Sequence, residues 1–186
     1  MGLNTDEITV GANGKLMVGP PGTAVPASPT AVPNAAFVDV GGLSEDGLKL
    51  TDSKTIEDIK LWQMFYAARK IVTERDFQIA AVLRQWNAAN VALAFGGGEV
   101  STVSAGVFKY EPPSPETLDE RILLAYWNDG ADKYLLIVPR VIVTENVETT
   151  LARSAPADLP LTFSVLGDDG VVPWSLLTTA TSFDPA

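Results

Sequence analysis

At 186 residues, 46% of them hydrophobic and 19% charged, the chain has the size of one domain that buries about 70% of its unfolded surface, and it is charge-poor for a solitary soluble protein. Thirteen basic against 23 acidic residues leave a net charge of −10, so most of the surface repels nucleic acid and stable DNA binding is disfavoured. The absence of cysteine and histidine excludes disulfides, thiolate chemistry, cysteine-ligated metal, an imidazole base and a Ser-His-Asp triad.

The start, Met1 to Glu7, has no basic region followed by an apolar core, and no stretch of the chain approaches the roughly 20 apolar residues that span a bilayer. Neither membrane insertion nor a secretory signal is expected, and residues 1–7 read as a flexible arm. A first strand is expected from Ile8. Gly11-Ala12-Asn13-Gly14 then reads as a hairpin turn leading into Lys15 to Val18. A phosphate loop would need GxxxxGK followed by Ser or Thr, whereas only two residues separate Gly11 from Gly14 and Leu16 follows Lys15. Between Gly19 and Pro33, Pro20, Pro21, Pro26, Pro29 and Pro33 exclude helix and central strand, which leaves an extended surface loop.

Phe37 to Val40 reads as a strand, and Gly41, Gly42 and Gly47 mark turns around Glu45-Asp46. From Leu48 to Gln63 the pattern is ambiguous: Leu48 and Leu50 alternate as in a strand, while Ile56, Ile59 and Gln63 fit helical spacing equally well. About fifteen residues without a firm assignment inside a compact domain point to a functional or disordered loop. The clearest periodicity runs from Arg69 to Arg84. Phe77, Ile79, Ala81 and Leu83 share one parity and Lys70, Glu74, Asp76 and Gln78 the other, as in a half-buried strand.

Asn87 is placed to cap a short helix over 88–95 that stops at Gly96-Gly97-Gly98. Val100 to Tyr110 suits a strand. Arg121 to Trp127 and Tyr134 to Thr144 flank the hairpin signal Asn128-Asp129-Gly130-Ala131, with Pro139 requiring an edge or a bulge. Leu161 to Leu166 and Val171 to Leu177 follow as strands, and 178–186 reads as a loosely held tail. The sum is one mainly β domain over 1–186, with about eight to ten short strands and one short helix, arranged as a sandwich or partly closed barrel.

Candidate chemistry is sparse. Glu45-Asp46 and Asp168-Asp169 lack the alternating ligands and final glutamate of an EF-hand loop and read as turn acids. A glycosidase carboxylate pair needs no sequence spacing, so it stays open. Strand aromatics could form an oligonucleotide platform, but such sites carry basic grooves and this chain is acidic. No catalytic residue, cofactor or metal is expected, and the reading is of a protein that is not an enzyme.

One phrase is more specific. Ala35, Ala36, Phe37, Asp39, Gly41, Ser44, Glu45, Asp46, Gly47, Ile59, Trp62 and Gln63 form an AAFxDxGxxSEDG stretch followed by an isoleucine and a Trp-Gln pair. This stretch resembles the major tail tube protein of long-tailed bacteriophages, as does the VxPxGTxxP spacing of Val18, Pro20, Gly22, Thr23 and Pro26. The likeness is dense from Val18 to Trp86 and order-consistent from Glu120 to Gly170, with Gly42 where the family often has tyrosine and Leu61 where it often has alanine.

The resemblance implies a structural virion protein, made in the bacterial host cytoplasm, whose sandwich subunits join into hexameric rings that stack into a hollow conduit for the genome. It implies as partners other copies of the chain and the tape measure, tail terminator and baseplate proteins, with DNA passing through unbound. It implies that 41–63 is a loop reaching the neighbouring ring, with Glu45, Asp46, Asp52, Lys54, Ile56, Glu57, Asp58, Ile59, Lys60 and Trp62 in contact. If the strand at 69–84 lines the tube, Lys70, Glu74, Asp76 and Gln78 face the lumen. The rival readings are a carbohydrate-binding or adhesin-like sandwich and, third, a hydrolase.

Overall fold

The computed structural model describes residues 7–144 and 147–184, so most of the expected N-terminal arm and the last two residues lie outside it. The described residues form ten strands and one α-helix: β1 (Ala12–Gly19), β2 (Val38–Asp39), β3 (Leu43–Ile59), β4 (Arg69–Leu83), α1 (Ala88–Ala94), β5 (Glu99–Ser104), β6 (Val107–Glu111), β7 (Arg121–Asp129), β8 (Asp132–Val143), β9 (Leu159–Val165) and β10 (Ser175–Thr178). All pairings are antiparallel, in the order β2-β1-β7-β8-β9-β4-β3 with β10 also on β8, while β5 and β6 pair only with each other. Because β2 and β3 both end as free edges, the sheet does not close into a barrel.

The sandwich arises where β8 changes partners. Its first half pairs with β10 through residues 134–137, and its last residues, 141–143, pair with β9. Between them the register against β7 slips, from Leu123↔Val138 to Arg121↔Val141. That bulge is where Pro139, which has no N–H to give the ladder, must sit. The two halves of the sheet then fold over one core: Leu16, Leu123, Leu136 and Val138 pack with Ile79, Leu83, Leu161 and Phe163. Each such buried aliphatic or aromatic side chain contributes about 1.5–3 kcal/mol.

A smaller cluster covers the opposite face of β1, β7 and β8, where Phe37 closes the proline-rich segment over Met17, Leu124 and Ile137. Gly19 permits this approach, since a Cβ there would stand 2.8 Å from Phe37 Cδ1. Helix α1 is started by Asn87, whose Oδ1 accepts from the Asn90 amide at 2.9 Å. The buried Asn90 side chain then donates to Val40 O and Gln85 O, each at 2.8 Å. Both acceptors are backbone carbonyls of the segments leaving β2 and β4, so the helix is tied to the β4 exit.

Several expectations are corrected. Among the described residues no strand precedes Ala12, because Asn13 (φ 52°) absorbs a register shift within β1 instead of turning a hairpin. The strand expected over 37–40 shrinks to the two residues of β2. Val100 to Tyr110 is two strands, folded at Gly106, whose φ of 77° suits a tight turn. The C-terminal segment is held through residue 184: Thr179 N donates to Lys133 O at 3.0 Å, Ala180 is buried, and Phe183 packs edge-on against Tyr134.

Candidate assembly site

The largest correction is at Leu43 to Ile59. The stretch expected as a loop is a 17-residue strand, β3, paired along β4 from Leu43↔Leu83 to Ile59↔Arg69. Alternation failed to reveal it because most of β3 has solvent on both faces: from Lys49 onward every side chain is exposed. The reason lies in the partner strand. β9 supports β4 only from Gln78 to Leu83, so residues 69–77 and the facing half of β3 continue as a two-stranded ribbon about 30 Å long. The ribbon is an arm projecting from the sandwich.

Cross-strand charges fix the arm's register. Arg75 forks onto Asp52 at 3.0 and 2.9 Å, Lys54 lies 3.8 Å from the same carboxylate, and Lys70 meets Asp58 at 2.7 Å. Hydrogen bonds from Arg75 and Lys70 hold the Asp52 and Asp58 carboxyls below the ordinary carboxylate range. These pairs are open to solvent and screened by salt, so they select an alignment more than they stabilise the fold.

At the far end Ala68 N donates to Ile59 O at 2.8 Å, closing a loop over 60–67. Leu61 to Ala68 contains no charged residue, yet Trp62, Phe65 and Tyr66 are 99%, 104% and 85% exposed. Such a cluster of bare aromatic side chains makes the tip a candidate interaction surface. Of the residues expected at a subunit contact, Trp62 is at this tip, and Asp52, Lys54, Ile56, Glu57, Asp58, Ile59 and Lys60 lie along or just beyond β3 of the ribbon. Glu45 and Asp46 are elsewhere, at the body end of β3 beside a cleft of about 350 Å³ that Trp127 and Leu48 also line. Phe65 and Tyr66 were missed; a charge-free aromatic run between two charged strands was the available signal.

The four residues expected on one polar face are divided. A bulge at Thr73, between the pairs Thr55↔Glu74 and Ile56↔Val72, reverses the parity of β4. Glu74, Asp76 and Gln78 lie on the face away from the core, while Lys70 lies opposite Asp58 on the other face. Asp76 is fixed there by Gln78 Nε2 at 2.7 Å and Ser164 Oγ at 3.2 Å.

The opposite end of β4 carries a second feature. Trp86, three residues beyond Leu83, donates its indole N–H to Ala157 O at 2.7 Å. With Val91 of α1 and Val100, Phe108 and Tyr110 of the β5–β6 hairpin it lines a groove of about 630 Å³. Tyr110 is oriented by donating its hydroxyl to Gly97 O at 2.8 Å, and partial burial pushes its pKa up. Among the described residues no group of three or more acids could hold a metal ion, and no helix is long and apolar enough to cross a membrane.

Residues 1–185 match the family described as "Phage tail tube protein". Among solved structures, the chain is similar to one from the "Virion of native gene transfer agent (GTA) particle", at 12% identity, with 96% of this chain and 100% of that one covered and a TM-score of 0.42. No curated protein matches.

Proposed function

Because the chain belongs to the phage tail tube protein family, matched from residue 1 to 185, and is therefore a structural protein of the virion, we propose that six copies close into a ring and that the rings stack through the β3–β4 arm. The observation that supports this reading is the arm itself, an exposed ribbon with Trp62, Phe65 and Tyr66 at its end. The charges on and just beyond β3 (Asp52, Lys54, Glu57, Asp58 and Lys60) steer copies into register, and the aromatic tip supplies buried area. Other copies of the chain are the main partner. Tape measure, tail terminator and baseplate proteins meet the tube at its axis and ends.

Electron microscopy of concentrated purified protein is expected to show tubes with a central hole. A persistent monomer that binds glycans would overturn the tube reading in favour of a carbohydrate-binding sandwich.

The face of β4 away from the core is the one proposed to line the lumen, with Glu74, Asp76 and Gln78 repeated around the ring and Lys70 removed from it by the Thr73 bulge. Six copies of a chain of net charge −10 give a channel from which phosphates are repelled, because DNA adheres through Lys and Arg. Phage carrying Glu74→Lys with Asp76→Lys should assemble normally but eject DNA several-fold more slowly at low salt, with the deficit shrinking as salt rises. The neutral pair Glu74→Gln with Asp76→Asn should eject near the native rate. Unchanged ejection kinetics of the Lys pair at every salt concentration would place this face outside.

A further inference from the structure

Resting on the reading of the chain as a stacking subunit, we propose that the aromatic tip of the arm seats in the groove between α1 and the β5–β6 hairpin of a second copy of this chain. The two surfaces stand at opposite ends of one strand. β4 begins at Arg69 beside the tip and ends at Leu83, three residues before Trp86 of the groove, and 15 residues of extended chain separate its ends by about 45–50 Å. A tip cannot reach its own groove across that distance. Copies repeated head to tail along β4 bring each tip to the groove of the next, which is the heterologous contact that builds an open filament.

The chemistry of the two surfaces matches. The tip run Leu61 to Ala68 is uncharged, and so are the groove residues Trp86, Val91, Val100, Phe108 and Tyr110. Phe108 is 69% exposed, an apolar wall awaiting cover. The groove is open to solvent and spans about 630 Å³, so an aromatic side chain can lie in it without displacing its walls. Charge outside the apolar patch is complementary as well. Arg69 flanks the tip with no ion pair among the described residues, and Lys60, on its other side, acts only at longer range on Asp58, while Glu99 and Glu111 oppose each other across the β5–β6 rim and only Glu111 has a lysine partner, Lys109.

The chain has no cysteine, so introduced thiols report contact without background. The double variant Phe65→Cys/Thr102→Cys, co-assembled with an equal amount of native chain and then oxidised, should give covalent dimers, trimers and longer species on a non-reducing gel, and none when kept as dilute subunits. The control Phe65→Cys/Val32→Cys, with Val32 at 90% exposure, should stay single. In a second measurement, Trp62→Ala and Phe108→Ala should each raise the critical concentration for tube formation, and the double variant should raise it no further than the worse single one.

Tubes in which Phe65→Cys/Thr102→Cys remains unlinked, or in which the Val32 control links equally well, would overturn the docking proposal and leave the tube reading standing. Multiplicative effects of the two alanine substitutions would do the same. A native chain that forms no tubes would overturn both.

Discussion

Trp62→Ala is expected to raise the critical concentration for tube formation roughly 30- to 1,000-fold, since truncating a central interfacial aromatic costs about 2–4 kcal/mol and each 1.4 kcal/mol is tenfold. The isolated subunit should barely respond. Trp62 is 99% exposed and has no packing partner to lose, so its replacement falls in the class of surface changes worth within about 0.5 kcal/mol, or a melting shift below about 2 °C. Light scattering against subunit concentration measures the first quantity and thermal unfolding of the dilute chain the second. An unchanged critical concentration would remove the tip from the assembly contact. A large melting shift would mean that Trp62 packs within its own subunit.

The opposite pattern is expected at the centre of the sandwich. Phe163 is fully buried in the main cluster, paired across β9 to Ile79 on one side and Val143 on the other. Phe163→Ala leaves a cavity in contact with both layers and should cost about 3–5 kcal/mol, a fall in melting temperature of about 6–20 °C for a chain of this size. Whatever assembly defect follows should be recovered by cooling, as a loss of folded subunit would be, whereas the Trp62→Ala defect persists at temperatures where the subunit is fully folded. A cost below about 1.5 kcal/mol would show that the two sheet halves do not close tightly over β9.

How far the sequence revealed this arrangement depended on whether a strand had one wet face or two. β4 was legible from Phe77 to Leu83 because β9 and the core cover one side of it, so its apolar residues alternate. The Asn128 to Ala131 hairpin, the bulge at Pro139 and the Asn87 cap were legible for a related reason: each is set by local backbone chemistry. β3 was not. Once past Leu48 every side chain is exposed, and its identity as a strand depends on pairing with β4, a contact that no local window contains. The Thr73 bulge was hidden likewise, since one inserted residue leaves composition unchanged while it moves Lys70 to the opposite face. As for the candidate site, Trp62 was singled out as an expected contact through a family resemblance. Phe65 and Tyr66 were passed over because an apolar run ordinarily signals interior, and here it signals a surface awaiting cover.

The continuity of β4 from the tip of the arm into the body also determines how the subunit carries mechanical load. A pull on the arm runs along the strand axis, at right angles to the antiparallel ladder bonds that join β4 to β9 from Gln78 to Leu83. The bonds are then sheared together, and none can be unzipped ahead of its neighbours. From β9 the force passes to β8 and, through it, to β7 and β1. Tension on one arm is thus spread over the whole width of the sandwich, so the body should resist a pull on the arm as one unit and not strand by strand.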